Sequence, residues 1–378
     1  MYVPTWQGLT PTVFFQSGSM TARPFPLSAA HCTYFYRARN AIYHLFRALS
    51  LKPDQPVLVP AFHHGNEVRA IRAAGASIRF YPILRNLEPD LEALTKLCRA
   101  GARVLFVIHY LGFPQPMKEL TALCRQYDML LIEDCALALF SEADGQPLGS
   151  FADYSVYCLY KTLPVPNGGL LVQNHQVLTE LSNLELTPCG FLATAGPGLQ
   201  LMLERLRSRS NGLGETLSAL KRSVGRVGSA LGVERIPVGD IGFDLSRVNT
   251  SMSPWCHRLV QSCDVAGIRE RRRSNFLRLR RALAHHATLL CTELEAGVCP
   301  LFFPILVPNK RAAAEALWQC GIGAVEFWNE GDSEATGEAF PDTQFLRDHV
   351  LELPIHQDVT AEQVDYMADQ VRSLKLHL

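Results

Sequence analysis

The chain has 378 residues, 48% hydrophobic and 19% charged, with 36 Lys plus Arg against 36 Asp plus Glu. That length supports a large α/β domain with a smaller companion, and the composition is globular rather than disordered or fibrous. A formal net charge of zero offers no general attraction for a phosphate backbone, so nucleic acid is not an expected partner.

Eleven cysteines form an odd set without CxxC pairs. This argues for free thiols in a reducing, cytoplasmic setting and against a disulfide framework or a zinc site. The start, MYVPTWQGLTPTVFF, lacks a basic segment followed by a long apolar core, so no signal peptide is expected. No apolar run reaches the roughly 20 residues that span a bilayer.

In chain order, short apolar runs alternate with helical patterns. The spacing predicts strands at 55–62, 77–83, 103–111, 129–137, 154–160 and 168–174. Most are continuous Val/Ile/Leu/Phe runs, as strands covered on both faces require. Helices are predicted between them at 39–49, 66–75, 90–101 and 117–127, with Gly75 and Gly101 closing two of them. Such alternation implies a largely parallel, doubly wound sheet.

After about residue 176 the pattern changes. Residues 198–232 read as helical material broken by Gly212, Gly214, Gly225 and Gly228, and suit a lid, an arm or a dimer element. From about 265 a basic helix with a solvated arginine face leads to LFFPILVP (301–308) and a helix at 312–320. VLELPIHQDVT follows, with a last helix capped at Thr360. We therefore divide the chain into a large domain, 1–250, with a helical insert or arm at 176–250, and a small C-terminal α+β domain, 251–378.

Ligands of open α/β sheets gather at the carboxyl ends of the strands. Here those ends carry Phe62, His63 and His64, then His109 and Tyr110, Glu133 and Asp134, and Lys161. A lysine amine forms a Schiff base with an aldehyde, and a buried carboxylate can hold a pyridine nitrogen protonated. Lys161 with Asp134 thus suits pyridoxal phosphate as an electron sink. The helix start at Ala38, Arg39 and Asn40 offers backbone N–H groups for the phosphate, and His64 offers a ring to stack. No GxGxxG follows the first strand, and GxxxxGK[ST], HExxH and GxSxG are absent. No metal site is expected.

From about residue 35 onward the chain resembles the DegT-type sugar aminotransferases, pyridoxal-phosphate enzymes of fold type I. VLVPAFHHGNEV, VIHYLGFPQ, LIEDCALALF, PLGSFADYSVYCLYKTLPVPNGGLLV and LPIHQD carry the resemblance in order and separation. It implies a mostly parallel seven-stranded sheet between helices, with Lys161 as cofactor anchor, Asp134 at the pyridine nitrogen and His64 as the stacking ring. It also implies Arg39 and Asn40 at the phosphate and a homodimer with shared sites, in which Asn249 of NTSMS reaches the neighbouring subunit's phosphate.

Several positions depart from that family. Leu137 replaces a His or Gln, Val156 stands where a phosphate-binding Ser is usual, and Ser251 replaces an Arg. Ser155 can substitute for Val156 only if a bulge re-aims it. Ser155 and His109 complete the candidate cofactor set. The expected activity is amino transfer from an amino acid, glutamate by resemblance, to an oxo-sugar or other small carbonyl compound. Decarboxylation, elimination or condensation on the same cofactor, and a weakened non-enzymatic homologue, are the alternatives.

Overall fold

The computed structural model describes residues 1–9, 23–209 and 242–378. The four glycines of the predicted helical insert lie outside the described residues. Its beginning is the helix Phe191–Arg209.

The large domain is built on β1 (Cys32–Phe35), β2 (Val57–Pro60), β3 (Ile78–Tyr81), β4 (Val104–Ile108), β5 (Leu130–Asp134), β6 (Tyr154–Cys158) and β7 (Gly169–Gln173). They form one sheet in the order β1-β7-β6-β5-β4-β2-β3. Only β7 runs against its neighbours, β1 and β6. All six predicted strands are present. β1 was not anticipated, because CTYF is short and only its last residue is fully buried. The crossovers are α1 (Ala38–Leu49), α2 (Asn66–Ala73), α3 (Leu91–Arg99) and α4 (Met117–Gln126). The chain leaves α2 and α3 through Gly75 and Gly101 at φ 93° and 90°, a conformation glycine adopts without steric cost.

β2, β4, β6 and β7 are buried at every position, and β5 at all but its first residue, Leu130, which is why they read as unbroken apolar runs rather than alternating ones. The apolar faces of α1 to α4 cover the sheet, and Phe46, Val68, Leu94 and Leu120 join its core.

The small sheet is antiparallel, in the order Thr288–Leu289, Phe302–Leu306, Val350–Pro354, Val325–Glu326. The helices Val265–Leu283, Lys310–Gln319 and Ala361–Ser373 accompany it. Thr360 caps the last helix with a capping box completed by Gln363. Val3 and Gln7, at the other end of the sequence, also pack here. Val3 bridges Ile322 and joins a core with Phe276 and Leu317.

One expectation is corrected. The basic helix does not turn all its arginines to solvent, since Arg272 is 1% exposed. It donates to Gln357 Oε1 at 3.0 Å and to the Leu301 carbonyl at 2.9 Å. Among the described residues no helix is long and apolar enough to cross a membrane.

Candidate active site

A cavity of about 630 Å³ lies where the carboxyl ends of the large-domain strands meet the small domain. The large domain contributes Arg37, Ala38 and Arg39 at the start of α1, with His64, Glu67, Asp134, Leu137 and Lys161. The small domain contributes the segment 325–330 and Glu352.

Asp134 ends β5 and is 6% exposed, and its Oδ1 accepts from the Ala136 N–H at 2.9 Å. Burial, then the nearby Glu67 carboxylate, push its pKa from 3.8 up to about 7, against the Ala136 N–H and Lys161. Lys161 follows β6 in a one-turn helix, Leu159–Thr162. Burial disfavours its charge, yet Cys158, Tyr160, Asp134 and Glu67 hold its amine above the ordinary value. Cys158 and Tyr160 are themselves raised by burial. They are therefore neutral near pH 7, leaving Glu67 and a partly ionised Asp134 as the negative charge that acts there.

The turn carrying Lys161 is fixed by side chains from three distant parts of the sequence. Gln7 donates to the carbonyls of Tyr160 and Leu163 at 3.1 and 2.8 Å. Gln357 donates to the Thr162 carbonyl at 3.1 Å, and Arg272 to the same oxygen at 3.4 Å. These carbonyls end a helix too short to satisfy them internally.

The start of α1 faces the cavity without a capping side chain or an acidic residue in its first turn. Its free N–H groups and positive dipole end favour an anion. Arg37 adds a guanidinium 4.4 Å from the Tyr160 ring centroid, and its buried Nε has no hydrogen-bond partner. Arg39 Nη1 donates to Asn66 Oδ1 at 3.3 Å and to the Gly242 carbonyl. This end of α1 can approach β7 only because Gly169 has no side chain. A Cβ there would lie 2.4 Å from the Arg37 carbonyl carbon and 2.5 Å from the Ala38 nitrogen.

His64 lines the cavity, with its ring 6.2 Å edge-on from Trp328. Its backbone N–H donates to Glu67 Oε1 at 2.7 Å. Burial lowers the His64 pKa, with Glu67 opposing and Lys161 and Arg39 adding to the depression.

Other candidates point elsewhere. Ser155 is fully buried on the opposite face of β6, and a Cβ on Gly149 would lie 3.0 Å from its own Cβ. β6 pairs with β7 residue by residue, so no bulge re-aims Ser155. His109 also lies on that far face. Its Nε2 donates to Glu133 at 2.9 Å and its Nδ1 accepts from the Gln115 N–H. Glu133 further accepts from the N–H groups of Gly149, Phe151 and Ala152. His109, Glu133 and Cys135 lie close enough to suggest a metal set, but His109 and Glu133 are already satisfied by each other and by backbone N–H groups. Asn40 is buried, and its amide donates to the carbonyls of Arg247 and Val248. Asn249 is exposed, outside the cavity wall.

Glu67, Glu352, Arg37 and the Gln7–Arg272–Gln357 set are not among the residues that sequence reasoning selects. The available signals were slight: an acid in the first turn of α2, and a lone charge within the apolar run VLELPI.

Residues 27–195 match the DegT/DnrJ/EryC1/StrS aminotransferase family. That match covers less than half of the chain, which is similar to the family over this segment. Vibrio cholerae GDP-perosamine synthase is 26% identical over 157 residues, 41% of this chain and 43% of that protein. The dTDP-4-dehydro-2,3,6-trideoxy-D-glucose 4-aminotransferase of Saccharopolyspora spinosa is 27% identical over 133 residues, 34% of each chain. The match thus spans less than half the length of these curated relatives.

The fold likeness extends further. Helicobacter pylori PseC, an aminotransferase involved in pseudoaminic acid biosynthesis, superposes with a TM-score of 0.68 over 99% of both chains at 16% identity. The aminotransferase TlmJ of Streptoalloteichus hindustanus gives 0.64 over 91% of this chain and 85% of its own, at 21% identity. The α/β architecture is therefore that of the fold type I aminotransferases. In this chain Leu137 sits in the cavity wall and Ser251 bridges Phe35 at the edge of the large sheet.

Proposed function

We propose that the chain is a pyridoxal 5′-phosphate-dependent aminotransferase that moves an amino group from an amino acid, glutamate by family resemblance, to an oxo-sugar or another small carbonyl acceptor. The observation that carries this reading is that Lys161 and Asp134 share one cavity with the uncapped start of α1. The donor set fits the cofactor: an amine for its aldehyde, a carboxyl for its ring nitrogen, and N–H groups with a buried unpartnered Arg37 Nε for its phosphate. The sugar aminotransferase names of the curated relatives support the acceptor class.

When bound, pyridoxal phosphate supplies an electron sink for the charge left as a substrate Cα proton departs. Lys161 is the covalent anchor and the group that takes up and returns that proton. Gln7, Arg272 and Gln357 limit where its amine can stand. Asp134, a carboxyl that burial raises to about 7, would hold the ring nitrogen, and a positive charge there would favour its ionised form. Arg37, Arg39 and the first N–H groups of α1 would hold the phosphate in place of the missing serine, and His64 would cover the ring.

A homodimer with shared sites, acting in the cytoplasm, belongs to the same proposal. The exposure of Asn249 leaves it accessible to a neighbouring subunit.

The test is direct. Purified protein supplied with pyridoxal phosphate should gain a visible absorption band and convert glutamate to 2-oxoglutarate in single turnover. Lys161→Ala should lose both. A wild type that takes up no cofactor overturns the reading. Cofactor uptake without 2-oxoglutarate formation favours a different reaction on the same cofactor.

A further inference from the structure

Glu352 occupies the middle of the central strand of the small sheet, paired with Pro304 on one side and Val325 on the other. It is 3% exposed and lines the same cavity as Lys161 and Asp134. No hydrogen bond or ion pair reaches its carboxyl from the described residues. Lys310 is near, but its ammonium is held by the carbonyls of Phe327 and Arg347.

A carboxyl buried without a partner is costly unless something supplies one. Burial pushes its pKa up to about 8 even though Lys161 and Lys310 pull it down.

The basic groups of the cavity lie on one side, together with Asp134 and Glu67. Arg37, Arg39 and the α1 terminus stand together on the large-domain wall, and Lys161 rises from the large domain as well. The small-domain wall carries Glu326, Glu330 and Glu352 and no basic residue. Glu326 is already paired with Arg311 at 2.9 Å and accepts from Asn329. Glu352 has basic groups nearby but no hydrogen-bonded or ion-paired partner among the described residues. Phe327 and Trp328 add apolar surface to the same wall. A ligand carrying a second phosphate group against this wall would meet carboxylates, whereas a ligand carrying an ammonium would meet its counter-charge.

We propose that Glu352 is a specificity-determining residue that receives a positively charged amino group of the carbonyl acceptor. The preferred acceptor is an amino-bearing polyhydroxylated ring rather than a sugar joined to a nucleoside diphosphate. This rests on the aminotransferase reading for the word acceptor, but the cation site itself is independent of the reaction. Trp6, Trp318 and Trp328 line the cavity and report on its occupancy.

The test uses the cofactor-loaded protein and three probes: D-glucosamine as a cation, D-glucose as its neutral counterpart, and UDP-glucose as an anion. Tryptophan fluorescence, checked by calorimetry, gives their affinities. The wild type should bind glucosamine about tenfold or more tighter than glucose, as a charged hydrogen-bond partner predicts. Glu352→Gln, which keeps the shape, should abolish that preference.

Equal affinity for glucosamine and glucose, or tighter binding of UDP-glucose, overturns the proposal from the wild type alone. A preference for glucosamine that survives in Glu352→Gln overturns the assignment to this residue. If glutamate yields no 2-oxoglutarate while the glucosamine preference and its loss in the variant both stand, the aminotransferase reading falls and the cation site remains.

Discussion

Glu133 and Asp134 are consecutive in the chain and face opposite sides of the sheet. Asp134 opens into the cavity beside Lys161, while Glu133 is sealed on the far face under four hydrogen bonds. The pleat of β5 separates a carboxyl available for chemistry from one that holds the fold together.

For Asp134 the expected signature is a stability cost. Its folded pKa of about 7 lies above the ordinary 3.8, so the folded protein binds this proton more tightly than the unfolded chain. The resulting stability is fully present below about 3.8 and is lost as pH rises to about 7. Asp134→Asn should therefore melt higher than the wild type at pH 8 without cofactor, by at most about 4 kcal/mol. The two should converge near pH 4. Thermal unfolding across that range checks this, and the same variant should turn over far more slowly once loaded.

Glu133→Ala should do the opposite. It leaves three backbone N–H groups and the His109 imidazole unpartnered in a dry interior, and should cost about 3–5 kcal/mol. Any folded fraction at low temperature should still take up pyridoxal phosphate. Denaturant unfolding with a cofactor titration separates the two effects.

The phosphate cradle can be probed through Gly169. Gly169→Ala drives a methyl group into the backbone of Arg37 and Ala38, so the start of α1 must move. Affinity for pyridoxal phosphate should fall at least tenfold, while affinity for phosphate-free pyridoxal should change little. Ser155→Ala, altering a hydroxyl on the far face, should leave both within about twofold. Equilibrium dialysis with the two forms of the cofactor distinguishes these outcomes.

Gln357→Leu tests the clamp on the lysine turn. It removes one donor to the Thr162 carbonyl and the acceptor of Arg272 Nε. If this residue positions Lys161, kcat should fall about tenfold or more with KM nearly unchanged, because a small displacement of the amine misaligns proton transfer. A role in stability alone would lower the melting temperature and leave kcat of the folded protein intact. Steady-state kinetics below the melting transition decides between them.

Much of the framework was legible in residue order. Continuous apolar runs marked six of the seven strands of the large sheet, Gly75 and Gly101 marked helix ends, and Thr360 with Gln363 marked the last cap. These signals are local, since each depends on neighbours within one turn or one strand. Lys161, Asp134 and His64 were also within reach, because strand ends in an α/β sheet are where ligands bind. His109 sits at such an end as well, and its neighbourhood gave no sign that it turns inward to Glu133.

Residue order alone carried the alternation of elements, the resemblance to a family and the candidate lysine–carboxylate pair. Tertiary structure decided which side of each strand faces the cavity, because a period of two separates the faces without saying which one a ligand will use. It also buried Arg272 within a run of exposed and half-buried arginines and brought Gln7 and Gln357 from the two ends of the chain onto one turn. Glu352 was left without a partner in the same way. Burial and pairing of this kind are set by contacts between residues far apart in sequence, and no local pattern encodes them.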